Sequence, residues 1–335
     1  MKHYNIPIFV PHRGCPNDCV FCNQKKITGI LTDITLEDIT NTIEEHLKTL
    51  PKNNRTVEVA FFGGSFTGID IDVQKQFLSA AHKYIKTGII DGIRISTRPD
   101  YITKSILEQL KKYGVTTIEL GVQSLDDDVL INSNRGHSSN DVFNAVRLIR
   151  EYDFSLGLQM MTGLPGDSDE SSIKTANKII ELSPDFVRIY PTLVLKNTKL
   201  EQMYNEGRYV PQSLEDAVLL CKKLLILFRE NSIPVIRVAL QTTDEISPGG
   251  SYVAGPYDAQ FRELVESSIY YDRFSQELCK SKFKDVIILV NTKEVSKAIG
   301  RNKSNIIRLS KEFDIKFKVK GDDNVLPGEF KIIGK

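Results

Sequence analysis

The sequence predicts an α/β protein: a partial (β/α)6 barrel over residues 1–240, followed by a small α+β unit. Two observations predict it. Short apolar runs alternate with amphipathic stretches of helical period through the first 235 residues or so, and the connections between them are short. The distinctive polar residues fall just after those apolar runs, where a curled parallel sheet gathers its chemistry.

The first strand is Ile6 to Val10. Thr35-Leu36-Glu37-Asp38 then opens a helix as a variant capping box, with Ile39, Ile43, Leu47 and Leu50 along one side. Val57 to Phe62 is the second strand and Val73 to Tyr84 the second helix. Ile93 to Ser96 follows as a strand, with a helix around Ile102 to Lys112. Thr117 to Gly121, Ser155 to Met161 and Phe186 to Pro191 supply three more strands. Helices near Ser139 to Glu151 and Glu170 to Leu182 lie between them, and Leu214 to Glu230 follows. Six such units need right-handed crossovers and a parallel sheet.

Residues 241–283 break the rhythm. Pro248-Gly249-Gly250-Ser251 and Gly255-Pro256-Tyr257 are turn chemistry, and a helix from Asp258 to Ser268 is expected after them. This stretch is expected to bridge, packed on the barrel. Residues 284–335 form a unit of their own: a strand at Asp285 to Val290, two helices around Gly300-Arg301-Asn302-Lys303, and strands at Ile315 to Lys320 and Glu329 to Ile333. Along the first of those last two strands lysines alternate with apolar residues, so one face is buried and the other basic.

Hydrophobic content of 41% and charged content of 26% are those of an ordinary globular protein. No apolar run approaches the roughly 20 residues that span a bilayer, and Met1 to Ile6 shows no signal-peptide pattern. The expected location is cytoplasmic. The net charge of +1 conceals an asymmetry, because Lys280 to Lys335 carries 14 basic against 7 acidic residues. A basic tail on a mildly acidic body points to an anionic partner.

Three of the five cysteines, Cys15, Cys19 and Cys22, fall within eight residues just after the first strand. That is too tight for a disulfide framework. Three thiolates at C-x3-C-x2-C spacing hold three irons of a cubane and leave the fourth iron open to an outside chelate. A structural zinc site is the alternative; it would want a fourth ligand, for which His12 is nearest. Cys221 and Cys279 stand in apolar, helix-like surroundings and read as buried thiols.

This cysteine motif resembles that of radical S-adenosylmethionine (SAM) enzymes, in which the amino and carboxylate groups of SAM take the open iron. In those enzymes the stretch matching Gly63-Gly64-Ser65, after the second strand, meets the SAM amino group. Its usual acidic third residue is Ser65 here, so contact through backbone carbonyls is expected. Ser96 and Arg98 end the third strand, Gln123 the fourth, Arg135 follows, Gln159 lies on the fifth strand, and Gly163 comes soon after. All are expected around one SAM pocket.

Ser96-Thr97-Arg98-Pro99-Asp100-Tyr101, Glu119-Leu120-Gly121-Val122-Gln123-Ser124, Arg135-Gly136-His137 and Arg188-Ile189-Tyr190-Pro191 are similar to the radical SAM domain of the Elongator catalytic subunit, which modifies wobble uridines of tRNA. The fourth-strand stretch also resembles oxygen-independent coproporphyrinogen oxidases. The likeness covers about residues 6–240. It implies that Gln123 and Arg135 bind the ribose and carboxylate of SAM, whereas Gln159 stands where an acidic ribose contact is usual. The Elongator subunit has a longer first gap in its cysteine motif and an acetyltransferase domain, so acetyl-CoA-dependent chemistry is not expected here. Residues 299–307 resemble the Gly-x-x-Gly loop of a type II KH domain, which clamps a single-stranded backbone; Gly300, Arg301 and Lys303 are its expected RNA contacts, with lysine in place of the second glycine.

The implied activity is reductive cleavage of SAM to a 5′-deoxyadenosyl radical, with a [4Fe–4S] cluster and SAM as cofactors and flavodoxin or ferredoxin as electron donor. The expected substrate is RNA, tRNA or rRNA. The alternative is a small metabolite such as a tetrapyrrole, with a structural tail.

Overall fold

The computed structural model describes residues 2–10, 18–22, 34–280 and 283–334. Contacts divide the chain into two units. One takes residues 1–212 and 227–256; the other takes 213–226 and 257–335.

The first unit is built on a seven-stranded sheet in which every pairing is parallel. Its strands are β1 (Lys2–Val10), β2 (Arg55–Gly63), β3 (Gly92–Thr97), β4 (Val115–Gln123), β5 (Ser155–Thr162), β6 (Phe186–Pro191) and, past a two-residue β7 (Val194–Leu195), β8 (Val235–Val238). The order is β1-β2-β3-β4-β5-β6-β8. Because each strand is added to the same edge, right-handed crossovers carry the connecting helices over one face and curl the sheet into a partial barrel. β7 pairs instead with β9 (Tyr252–Ala254), antiparallel.

The helices are α1 (Leu36–Thr49), α2 (Ile71–Lys86), α3 (Lys104–Lys112), α4 (Asp127–Asn132), α5 (Ser139–Arg150), α6 (Asp169–Glu181) and α7 (Lys199–Asn205). The expected capping box is present: Thr35 caps α1 through the Asp38 backbone while the Asp38 carboxylate accepts from the Thr35 backbone. Ile39 and Ile43 are fully buried beneath it. In β4 every residue but one is buried, as expected of a parallel strand covered on both faces.

α8 (Leu214–Glu230) runs through the division between the units. The second unit continues with α9 (Phe261–Leu278), β10 (Asp285–Val290), α10 (Val295–Ile299), α11 (Ser304–Phe313), β11 (Lys316–Gly321) and β12 (Phe330–Gly334). β10 is central, parallel to β11 and antiparallel to β12. Tyr270, Phe274 and Leu278, one helical turn apart on α9, join Val286, Ile288, Val290, Leu309 and Phe317 in one apolar core.

The structure differs from the sequence expectations in three respects. The sheet has a seventh strand, β8; its four residues are too short a run to register a period. The expected bridge at 241–283 divides, and the helix beginning at Phe261 extends to Leu278 and builds the second core rather than stopping near Ser268. Cys279 is exposed, not buried, because α9 ends at Leu278 and turns the next residue to solvent; Cys221 is buried as expected.

Candidate active site at the barrel mouth

Cys19 and Cys22 lie in a short segment held by its neighbours. The Val20 amide donates to the Ser133 carbonyl at 3.0 Å, the Leu200 amide donates to the Val20 carbonyl at 2.7 Å, and Asn134 Nδ2 donates to the Asp18 carbonyl at 2.9 Å. Val20 is buried with Val194, Leu200 and Tyr209. The segment is thus pinned to the loop after α4 and to α7 on opposite sides. Cys15 and His12 lie outside the described residues.

Both cysteines line a cavity with Gly63, Gly64, Ser65, Ser96, Arg98, Gln123, Arg135 and Gln159. Eight of the nine residues expected from the sequence to contact SAM therefore meet at one mouth, from the ends of β2, β3 and β4, the loop after α4, and β5. Gly163 is not among the lining residues. Its amide donates to Asp167 at 2.8 Å and its carbonyl accepts from Tyr209 at 2.6 Å, so it fixes the loop after β5.

Backbone geometry makes this mouth. Gly63 has φ of +109°, and a Cβ there would lie 2.5 Å from the Val10 carbonyl, so only glycine lets the ends of β1 and β2 close together. Gln123 has φ of +66° at a register shift between β4 and β5, a left-handed conformation uncommon outside glycine. The bulge turns its amide toward the cavity.

The two arginines have different tasks. Arg98 holds Asp100 through Nε and Nη2, both at 2.9 Å, and donates from Nη1 to the Arg135 carbonyl at 2.7 Å. Its guanidinium is a strut for the Arg135 loop. Arg135 donates from Nη2 to the Gly121 carbonyl at 2.8 Å, and its Nη1 lies 3.5 Å from Cys19 Sγ. A fixed cation therefore stands beside a cysteine of the motif. His137, buried just behind, is pushed down to about 3 by burial and by the charges of Arg135 and Arg98. It is neutral, its Nε2–H donating to the Val122 carbonyl at 3.2 Å.

Beneath the mouth runs a buried, charge-balanced network that the sequence reading did not anticipate. Arg94 donates to Glu58 (2.8 Å) and Glu119 (2.8 Å), and Arg188 donates from Nη2 to Glu119 (3.0 Å). Burial pushes the Glu58 carboxyl up, but Arg94, Thr116 and Thr117 outweigh it and hold it below its ordinary value. One charged residue within each of four otherwise largely apolar strands, Glu58, Arg94, Glu119 and Arg188, was the available signal. Gln159 Nε2 donates to Glu119 at 3.1 Å. Because a carboxylate only accepts, the amide nitrogen is committed there, and the polar atom Gln159 has left for the cavity is its carbonyl oxygen. Gln159 thus offers an acceptor, as a carboxylate in its place would.

The Radical SAM superfamily pattern matches residues 9–179, just over half of the chain. The chain belongs to the Radical SAM superfamily. The Radical_SAM C-terminal domain matches residues 184–271. Over 176 residues the chain is 35% identical to the tRNA uridine(34) acetyltransferase of Dehalococcoides mccartyi, covering 46% of this chain and 38% of that protein. Over 203 residues it is 32% identical to human Elongator complex protein 3, covering 55% and 37%. The chain therefore spans less than two fifths of these relatives. Among solved structures, the archaeal Methanocaldococcus infernus Elp3 matches with a TM-score of 0.64 at 24% identity, over 82% of this chain and 63% of that one. Coproporphyrinogen III oxidase from Escherichia coli matches at 0.50 and 18% identity, over 81% and 58%. These two likenesses show the same fold. The resemblance read from the strand-end motifs is thereby borne out.

As a radical SAM enzyme the protein uses a [4Fe–4S] cluster and SAM. The mouth fits them. Ser96 Oγ, Gln123 Oε1 and Arg135 Nε are buried with no hydrogen-bond partner among the described residues, and all three residues line the cavity. Buried polar atoms are ordinarily paired, so three together at one mouth are those a polar ligand would satisfy. A Cβ on Gly121 would come within 2.9 Å of both Arg135 Nη2 and Gln123 Nε2, so the bare backbone there keeps these side chains in place. Cys19 and Cys22 stand at the same cavity as soft ligands for iron.

Among the described residues no helix is long and apolar enough to cross a membrane.

Proposed function

We propose that this radical SAM enzyme modifies RNA, with tRNA the favoured substrate. The observation that carries the reading is the 35% identity of its barrel to a protein named for tRNA uridine(34). The basic C-terminal unit supports it.

When bound, the cluster and SAM supply reductive cleavage of a C–S bond and hydrogen abstraction. Cys15, Cys19 and Cys22 would hold the cluster. Gly63, Gly64 and Ser65 would meet the SAM amino group through their backbone. Arg135 would take its carboxylate while keeping its own cation against Cys19. Gln123 and the carbonyl of Gln159 would receive the ribose hydroxyls, and Ser96 would complete the polar lining. Arg98 would act at one remove, by holding the Arg135 loop. A small flavoprotein or ferredoxin would deliver the electron. In the second unit the loop at Gly300 and Lys303 would approach the RNA.

The test is anaerobic. The reconstituted protein is reduced with dithionite, SAM is added with and without bulk cellular tRNA or rRNA, and 5′-deoxyadenosine is quantified. Cleavage should rise with RNA and vanish in Cys19→Ala. Cleavage indifferent to RNA would transfer the reading to a small metabolite such as a tetrapyrrole. An intact, reducible cluster without cleavage would overturn it.

A further inference from the structure

The second unit turns a basic sheet face outward, and its Gly300 loop is poorer in available charge than its sequence promises. Arg301 is committed inside the unit: Nη1 and Nη2 grip the two Asp258 oxygens at 2.7 and 2.6 Å, and Nη2 also lies 3.3 Å from Gln260. A bidentate pair of that kind is not readily exchanged for a phosphate.

On the sheet, Val286, Ile288, Val290 and Phe317 point into the core. By alternation the opposite face carries Asp285, Ile287 and Leu289 of β10, Lys316, Lys318 and Lys320 of β11, and Lys331 and Ile333 of β12. The register sets them in rows: Lys318, Ile287 and Ile333 lie abreast, then Lys320, Leu289 and Lys331. All four lysines are exposed, and none has an ion-pair partner among the described residues. Ile333 is 49% exposed. An aliphatic strip thus lies between a line of three lysines and a fourth.

We propose that this outer sheet face is a principal RNA-binding surface of the unit, with the phosphodiester backbone following Lys316, Lys318 and Lys320. The inference rests on the RNA reading above and locates the contact away from the loop that sequence singles out. Alternate residues of a strand are about 6.6 Å apart, a spacing comparable to that of successive phosphates along a nucleic-acid strand. The aliphatic strip accepts ribose and base edges. Ile287, Leu289 and Ile333 offer no ring for stacking, so binding is directed at the backbone and tolerant of sequence. An acidic protein surface would satisfy the charges but not their regular spacing.

Fluorescein-labelled bulk tRNA and a labelled oligouridylate are titrated with the full chain across a salt series, and the logarithm of affinity is plotted against that of salt. Combined Lys316→Ala, Lys318→Ala and Lys320→Ala should lower the slope by about 2, at about 0.7 per single-strand phosphate contact. Thermal unfolding verifies that the variant is folded. Wild-type binding with an unaltered slope in the triple variant overturns the sheet-face inference while leaving the RNA reading intact. If that variant also aggregates, the lysines are edge guards against strand pairing. A slope lost instead with Lys303→Ala places the strand on the loop, which also overturns it. Polyglutamate displacing RNA at equal charge concentration would make the face a dock for acidic protein. No binding by wild type at any salt would remove both readings.

Discussion

The two units handle charge in opposite ways. In the barrel, charge is interior and closed: two carboxylates and two guanidiniums sit below the mouth, each answered by another. Above them, Ser96, Gln123 and Arg135 keep polar atoms unanswered. In the second unit the core is apolar, one buried carboxylate, Glu266, is held by Arg262 and Lys297, and four lysines stand out on one sheet face. A mouth lined by polar atoms that lack protein partners binds a small polar cofactor in a fixed pose. A face on which basic residues outnumber acidic ones binds a long polyanion and costs the folded unit some self-repulsion. The contrast teaches which measurements separate them: barrel chemistry should depend on single atoms and little on salt, the sheet face on summed charge and strongly on salt.

The largest effect should come from breaking the interior balance. Glu119 is fully buried and accepts from Arg94, Arg188 and Gln159, so Glu119→Gln leaves one positive charge unanswered in the barrel floor. A loss of about 3–5 kcal/mol is expected, read by denaturant unfolding. Adding Arg188→Met to that variant restores the charge balance and should recover part of it. No recovery would mean that hydrogen-bond geometry, not charge, holds the floor. Gln159 gives the same variant a second readout, because loss of its partner frees the amide to turn and should weaken SAM binding.

Next in size is a pH effect at the mouth. His137 has an ordinary value of 6.5 and is lowered to about 3 by burial first, then by Arg135 and Arg98. The unfolded chain therefore binds a proton that the folded chain refuses between those values. Stability from this group is complete above pH 6.5 and declines as pH falls toward 3, by up to about 1.4 kcal/mol per unit. His137→Gln should flatten the acid side of the stability profile, by about 2 kcal/mol near pH 5. Urea unfolding from neutral pH down to about pH 5 measures it. An unchanged profile would mean that His137 accommodates its proton locally.

What the sequence disclosed follows from the same contrast. The barrel was legible because parallel strands are continuous apolar runs, and because the motifs at their ends needed particular residue types: glycine at 63, cysteines at 19 and 22, Gln123 on a bulge. Eight of the nine expected SAM contacts line the mouth, since each stands just past a strand end. Gly163 does not, because a glycine required by a loop looks the same in sequence as one required by a ligand. The floor network was not foreseen, because single charged residues within apolar strands show their partners only when the strands are aligned side by side. Arg301 was expected to face RNA, and its attachment to Asp258 spans 43 residues of chain, beyond any local pattern. The lysine alternation at 316–320 was legible, but not that Lys331 joins it from the other edge.

The smallest effect sharpens the comparison from the side of the second unit. Lys303 stands in the turn between α10 and α11, and it adopts φ of 61° and ψ of 29°, left-handed backbone, immediately before α11. An L-residue there costs about 1–2 kcal/mol relative to right-handed helix, against roughly 0.5–1 kcal/mol for the greater unfolded-state freedom of glycine. Lys303→Gly should therefore stabilise the protein by about 0.5–1 kcal/mol, seen as a small rise in melting temperature. It also removes one cation from the loop. If the sheet face carries the RNA, the salt slope should fall by no more than about 0.7, a single contact. Destabilisation would mean that the Lys303 side chain, and not the backbone alone, shapes the turn between α10 and α11. A stabilised variant that loses most of its RNA affinity would return the binding site to the loop, and the division of labour between interior and exterior charge would have to be redrawn there.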